Sequence, residues 1–291
     1  MSEILKNIII GTAQLGSNYG IANKNKNYDI KEKFKLLNEA YKNGCKHFDT
    51  AHSYPESHSI LGEWKKIYKT QPTFSTKIPN LKKNKIKNFD DFIAEIFNDL
   101  YITELDYILL HNSYDFKNKD LIRNIDKYIK LKTIKKFGLS IYDKEEIFQN
   151  PLIKTIQLPA NIFNHNILES DELNLAKENK VEIQIRSIFV QGLILMHPKE
   201  IPQHLENTKC AIEFFHNIAK EINVDKSHLA ILMINKLCPD AKIIIGIDNI
   251  NQLKNLITIN KSKIKNTDVI EILKYTKKQN NKNWDPRNWK N

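Results

Sequence analysis

Short apolar runs alternate along this chain with longer segments whose apolar positions recur every three or four residues. The short runs fall at 7–11, 46–49, 73–77, 105–110, 136–140, 153–158, 181–187 and 242–247. Each is mostly Ile, Leu, Val or Phe on consecutive positions rather than on alternate ones. That pattern suits strands buried on both faces, as in a parallel sheet. The longer segments predict helices at 30–43, 55–66, 86–101 and 119–131, a short one at 144–149, and then 169–179, 205–222, 225–237, 249–258 and 268–277. The first carries Phe34, Leu37 and Tyr41 on one face and stops at Gly44, a residue suited to a helix end. Eight strands separated by helices predict a (β/α)8 TIM barrel. No Pro/Gly/Ser linker divides the chain, so residues 1–291 read as a single domain. Its tail, at about 278–291, carries Trp284 and Trp289. Such an aromatic-anchored tail is expected to pack back onto the body.

Composition narrows the function. The chain is 41% hydrophobic, enough for a sizeable core, yet no apolar run reaches the ~18 residues that cross a bilayer. The opening segment lacks the features of a secretory signal, so no membrane association and a cytoplasmic location are expected. Three cysteines, Cys45, Cys210 and Cys238, with no CxxC indicate neither a disulfide framework nor a zinc site; no metal is expected. A formal charge of +11 invites a nucleic-acid reading. The lysines, however, are scattered over helix surfaces and arginine is confined to Arg123, Arg186 and Arg287. Nucleic-acid binders use arginine heavily for phosphate and guanine contacts, so no nucleic-acid partner is expected. Attraction of anionic small molecules remains open.

Four polar residues stand at or just past strand-like runs: Asp49 and Tyr54 in CKHFDTAHSY, Lys77 in TFSTKIP, and His111 in LDYILLHN. In a (β/α)8 barrel the C-terminal strand ends share one rim, where active sites lie. A phenol is a weak acid, with an ordinary pKa of about 10. A neighbouring ammonium held by a carboxylate is expected to lower it, and an imidazole to hold a carbonyl oxygen. The set is equipment for moving a proton onto a carbonyl. A barrel glycosidase would need two apposed carboxylates, and Asp49 has no carboxylate partner at a strand end.

With those residues, further fragments resemble the aldo/keto reductase family along nearly the whole chain. They are GTAQLG followed by YGI, FDTAHSYPESHSILG, STK, LDYILLH, KKFGLS, IQLPANIF, RSIFVQG and IIIGIDNINQL. The resemblance implies an NAD(P)H-dependent oxidoreductase that reduces a small aldehyde or ketone, a keto-sugar being one candidate. Tyr54 is then the proton donor, Lys77 paired with Asp49 tunes it, and His111 orients the substrate. It further implies that Thr12, Ser140 and Gln157, with Arg186, Ser187, Phe189, Gln191 and Gly192, and with Gly246, Asp248, Asn249 and Gln252, hold NADP or NAD. Ser140 and Gln157 fall on the nicotinamide amide, the Ser187–Gly192 stretch on the pyrophosphate, and the last set near the adenosine phosphate. The partner implied is a small carbonyl compound, with the protein a monomer or weak homodimer.

The chain departs from the family pattern in places. Ile141 follows Ser140 where many members have Asn, and Pro55 follows Tyr54 where Gly is common. Arg186 stands where an aromatic residue often stacks on the nicotinamide, and reads equally as an anion-binding group or a structural ion pair. Asp248 and Asn249 stand where NADPH users place a cation. A carboxylate accepts from a ribose 2′-OH but repels a phosphate. The expectation leans to NADH or dual use, with Lys254 or Lys242 as rescuing cations. His52 and His58 flank Tyr54, where such loop histidines are more often solvated than in contact with substrate. The alternative reading of the whole is a cofactor-binding regulatory barrel with little turnover.

Overall fold

The computed structural model describes residues 3–16, 20–21, 29–260, 264–279 and 281–289. Tyr19 of YGI, residues 261–263 of the loop before the last predicted helix, and residues 280, 290 and 291 of the tail lie outside the described residues. Eight parallel strands close on themselves in sequence order: β1 (Ile8–Gly11), β2 (His47–Asp49), β3 (Thr73–Ile78), β4 (Leu105–Leu110), β5 (Ile134–Ser140), β6 (Ile153–Pro159), β7 (Glu182–Arg186) and β8 (Lys242–Gly246). Closure is made by β1 against β8, from Ile8 opposite Ile243 to Gly11 opposite Gly246. Around them lie α1 (Ile30–Lys42), α2 (Ser57–Tyr68), α3 (Phe89–Asp99), α4 (Lys119–Lys130), α5 (Asp171–Glu178), α6 (Lys209–Glu221), α7 (Lys226–Leu237), α8 (Ile250–Ile257) and α9 (Asn266–Thr276).

Most helix starts have a local cause. Asn88, Asn118, Ser170, Asp225 and Asn249 each accept from backbone N–H groups in the first turn of α3, α4, α5, α7 and α8, satisfying donors that would otherwise be bare. α2 begins two residues later than the pattern predicts, because Glu56 takes a left-handed φ of 57°. The helix expected at 144–149 contracts to one 3-10 turn, Lys144–Glu146. Pro151 disfavours helical backbone at Asn150. Buried Glu146 instead accepts the N–H groups of Tyr142 and Asp143.

One sequence expectation is corrected here. The strands are not apolar throughout: many inward positions are polar, most plainly in β7, where Glu182, Gln184 and Arg186 alternate with Ile183 and Ile185, although Ile9, Leu109 and Ile244 are apolar. At the N-terminal end of the barrel, Glu182 Oε2 accepts from Tyr107 Oη (3.0 Å), Lys136 Nζ (3.1 Å) and Lys242 Nζ (3.0 Å). Burial opposes charge on Glu182, but the hydrogen bond from Gln184 and the two lysines hold its pKa at about 2. Lys242 is thus committed to the far end of the barrel and does not reach a cofactor site. The apolar core lies outside the strands, where residues such as Ile108, Ile156 and Ile185 meet the helices. Cys45 is buried there, and burial lifts its thiol to about 11, an unreactive state.

Candidate active site

A cavity of about 760 Å³ opens at the C-terminal ends of the strands. Asp49, Tyr54, Lys77 and His111 all line it, as do Thr12, Ser140, Gln157, Arg186, Ser187, Phe189, Gln191, Gly192, Gly246, Asp248 and Gln252. Asn249 does not. Its side chain caps α8, accepting from the N–H groups of Asn251 and Gln252 at 3.0 Å each.

Lys77 Nζ donates to Asp49 Oδ2 at 2.6 Å and to the Thr50 carbonyl at 2.9 Å. Asp49 Oδ1 accepts from Ser75 Oγ (3.0 Å) and Gln157 Nε2 (2.9 Å). Side chains from β3 and β6 thereby fix one carboxylate on β2. With the Ser75 proton on Asp49, His47 Nε2 donates to Ser75 Oγ at 3.0 Å. Burial and the nearby Lys242 keep His47 neutral, with a pKa of about 3.

The loop that carries Tyr54 is pinned from both sides. Thr50 N–H donates to Ser75 O and His52 N–H to Lys77 O, while Thr50 Oγ1 donates to Ser57 Oγ. Gly16 lets the loop after β1 press on the same turn: a Cβ there would lie 1.5 Å from the Pro55 carbonyl oxygen. Tyr54 and His111 meet edge to face, with ring centroids 6.2 Å apart, and Ser53 Oγ lies 3.2 Å from His111 Nδ1.

Electrostatics at the phenol differ from the expectation. Burial pushes the Tyr54 pKa above its ordinary value and Asp49 adds to the rise; Arg186 is the charge that lowers it. Lys77 is not among the charges that lower it, although its Nζ sits 5.6 Å from the Tyr54 ring centroid; its partner Asp49 acts in the opposite sense. Burial likewise pulls the Lys77 ammonium down, against Asp49, which raises it. His111 is neutral for the same first reason, burial, helped by Lys77 and Arg186, with a pKa of about 4. The site therefore offers a protonated phenol and an uncharged imidazole near neutral pH.

The cofactor side of the cavity has features of its own. Gln157 is fully buried, and its carbonyl Oε1 has no hydrogen-bond partner among the described residues. An acceptor left bare beside Ser140 suits an amide N–H donor such as a nicotinamide carboxamide. In the loop after β7, Ser187, Val190, Gln191 and Gly192 have φ of 63°, 50°, 54° and 93°. Three non-glycine residues in left-handed backbone cost on the order of 1 kcal/mol each or more, and such strain concentrates at functional loops.

Sequence reasoning missed several wall residues. Gln14 donates to the Ile247 carbonyl at 2.9 Å. Asp225, Lys226 and Ser227, from the start of α7, line the cavity beside Asn255, which donates to Asp225 Oδ1 and Ser227 Oγ. Among the described residues, Lys226, rather than Lys242 or Lys254, is the lysine of this wall besides Lys77. A capping Asp followed by Lys was the available signal, but nothing local says that the N-terminus of α7 faces the cavity. His52 and His58 do not line it. His58 is buried rather than solvated, 2.7 Å from Thr76 Oγ1, and burial lowers its pKa to about 4.

Comparison with known proteins follows the same lines. No curated protein sequence matches the chain. Among solved structures, the glycerol dehydrogenase of Gluconobacter oxydans superposes with a TM-score of 0.75 at 18% identity, over 94% of this chain and 93% of that one. An aldo/keto reductase of Klebsiella pneumoniae in complex with NADP and acetate gives 0.71 at 15% identity, over 93% and 91%. At such identities the likeness is one of fold. The sequence profile described as the aldo/keto reductase family matches residues 7–276. With that match spanning nearly the whole closed barrel, the chain belongs to the aldo/keto reductase family.

Proposed function

We propose that this protein reduces an aldehyde or ketone to an alcohol, using a nicotinamide cofactor, with Tyr54 as the proton donor. The observation that carries the reading is the cluster at the strand ends: a protonated phenol against a neutral imidazole, backed by a buried Lys77–Asp49 pair. When bound, the cofactor supplies the hydride that reduces the carbonyl carbon. The orphaned Gln157 acceptor with Ser140, the left-handed loop after β7, and Gly246, Asp248 and Gln252 would hold it. The Klebsiella neighbour, crystallised with NADP, supports NADP(H); Lys226 in the wall suits a 2′-phosphate, while Asp248 suits a free 2′-OH.

His111 and Tyr54 both donate hydrogen bonds to the carbonyl oxygen as negative charge develops on it. Donors fixed in advance in a water-poor cavity are worth more than the same donors in water. Tyr54 then transfers its proton to the oxygen and regains one from solvent. Its raised pKa is no obstacle, because an alkoxide is a stronger base than a phenolate and the transfer stays downhill. Lys77 and Asp49 set the position and potential beneath the phenol rather than acidifying it outright.

Fluorescence titration with NADPH and NADH, followed by assays of cofactor oxidation driven by short aldehydes and ketones, tests the reading. Binding of at least one cofactor and carbonyl-dependent oxidation that is lost in Tyr54→Phe are expected. Binding of neither, or full activity in Tyr54→Phe, overturns it.

A further inference from the structure

A second cavity of about 600 Å³ adjoins the first. Tyr142, Arg186, Ser187 and Gln191 line both, so the two share a wall. The outer wall of the second cavity is the C-terminal tail, from Trp284 to Arg287. Three amides face it from the loop after β6, Asn161, Asn164 and Asn166. Trp284 is 2% exposed and stacks on Phe163 at 4.1 Å. Its indole N–H, buried, has no acceptor among the described residues.

Arg186 stands at the junction. The other two arginines are ion-paired, Arg123 to Asp120 at 3.3 Å and Arg287 to Asp285 at 2.5 Å. Arg186 has no carboxylate within 4.0 Å among the described residues. Its Nη2 donates to the Ile141 carbonyl at 3.1 Å, and its guanidinium lies 4.4 Å from the Tyr142 ring centroid. A guanidinium carries five donors, and these contacts orient it without neutralising it. The cavity also has carboxylates, Asp143, Glu145 and Asp285, but Arg287 covers Asp285 and lies 3.8 Å from Asp143. Glu145 has no ion pair among the described residues, so the second cavity keeps one unpaired carboxylate, while the unpaired cation, Arg186, is on the side next to the catalytic residues. Its field reaches them: Arg186 contributes to the shifts at Tyr54, Lys77 and His111.

We propose that the carbonyl substrate carries an anionic group, a carboxylate or a phosphate, which Arg186 binds at the junction, while the polar remainder of the molecule lies in the amide-lined second cavity. This rests on the reductase reading of the main cavity and narrows its substrate class. A planar guanidinium offers paired donors to either anion, and side-chain amides such as Asn164 and Asn166 suit hydroxyl groups.

The test compares matched pairs: D-glucuronate against D-glucose, and glyceraldehyde 3-phosphate against glyceraldehyde, with wild type, Arg186→Gln and Arg186→Lys. The quantity read is the anionic-to-neutral ratio of kcat/KM, in which any effect of Arg186 on the cofactor cancels. The wild-type ratio should exceed one for at least one pair. It should fall about 10–100-fold in Arg186→Gln, the range for loss of a charged hydrogen bond, and recover in part in Arg186→Lys. The pair that responds tells carboxylate from phosphate. Calorimetric titration of the NADP-loaded protein with D-gluconate and with inorganic phosphate gives a readout independent of turnover, with weaker binding expected in Arg186→Gln. An unchanged ratio, an equal loss on both members of each pair, or equal anion binding by wild type and variant overturns the proposal. Neutral aldehydes turned over through Tyr54 with no anion preference defeat it and leave the reductase reading standing. Arg186-dependent anion binding without carbonyl reduction overturns the reductase reading and, with it, the substrate assignment, leaving an anion site at the junction.

Discussion

Replacing Lys77 by Met tests how the Lys77–Asp49 pair is held. The two side chains are 1% and 4% exposed, and their polar atoms are 2.6 Å apart. At that distance, with an effective dielectric of 20, their attraction is about 6 kcal/mol before the desolvation of either group is subtracted. Methionine keeps the length of the stem and removes the charge, so little is lost in packing. What remains is a buried carboxylate whose Oδ2 has lost its donor, while Oδ1 keeps Ser75 and Gln157. Breaking one side of a buried pair typically costs about 3–5 kcal/mol; the two surviving donors place the expectation near 3 kcal/mol. Urea unfolding at pH 7, followed by the fluorescence of buried Trp64 and Trp284, measures it. The double variant Asp49→Asn/Lys77→Met removes both charges and should come back to within about 1–2 kcal/mol of wild type. A loss below about 1 kcal/mol in Lys77→Met, or a double variant less stable than either single one, would refute the picture of a desolvated, mutually dependent pair.

Tyr54→Phe should keep cofactor affinity and lose carbonyl reduction by about 10²–10⁴, the contribution of a general acid; steady-state rates beside a fluorescence titration separate the two. Asp248→Arg should move the NADPH-to-NADH ratio of Kd toward NADPH, and an unchanged ratio would place the 2′ site elsewhere. Because His111 titrates at about 4, kcat/KM should show no inflection near pH 6.5, and a pH–rate profile with one there contradicts a neutral imidazole. His47 and His58, at about 3 and 4, sit below the ordinary value of about 6.5. As pH falls below 6.5 the unfolded chain takes up protons first, so stability should decline toward pH 4, by about 1.4 kcal/mol per pH unit for each histidine. Urea midpoints constant from pH 6.5 to 4.5 would rule this out.

The barrel and the four rim residues were legible because each signal is local. Eight apolar runs mark the strands, and strand ends in this fold share a rim, so Asp49, Lys77 and His111 needed no knowledge of long-range contacts. The polar interior was harder to see, although β7 carries it openly as Glu182, Gln184 and Arg186. In short strands with apolar neighbours on both sides, the alternation is easily taken for a continuous apolar run. Lys226 and Gln14 were invisible for another reason. They reach the cavity through helix and loop placement, which depends on packing across many residues. The raised pKa of Tyr54 was not legible because residue types do not reveal how deeply a phenol is buried. Asn249 went to a helix cap, a demand that competes for Asn wherever a helix begins.

The pairing of β1 with β8 also bears on how the chain is made. Ile8 must find Ile243, a partner synthesised about 235 residues later. At about 5–20 residues per second, that is roughly 12–47 s during which the Ile-rich edge of β1 has no strand beside it on one side. Asp49, Lys77 and His111 come from the half of the barrel that emerges first, whereas Gly246 and Asp248 arrive last. A nascent chain can thus hold the proton-transfer residues on one curved sheet before the cofactor wall exists, with a bare parallel edge open to pairing with other chains. Ribosome-bound chaperones, or slow dilution during refolding, should therefore govern yield more than the stability of the finished barrel does.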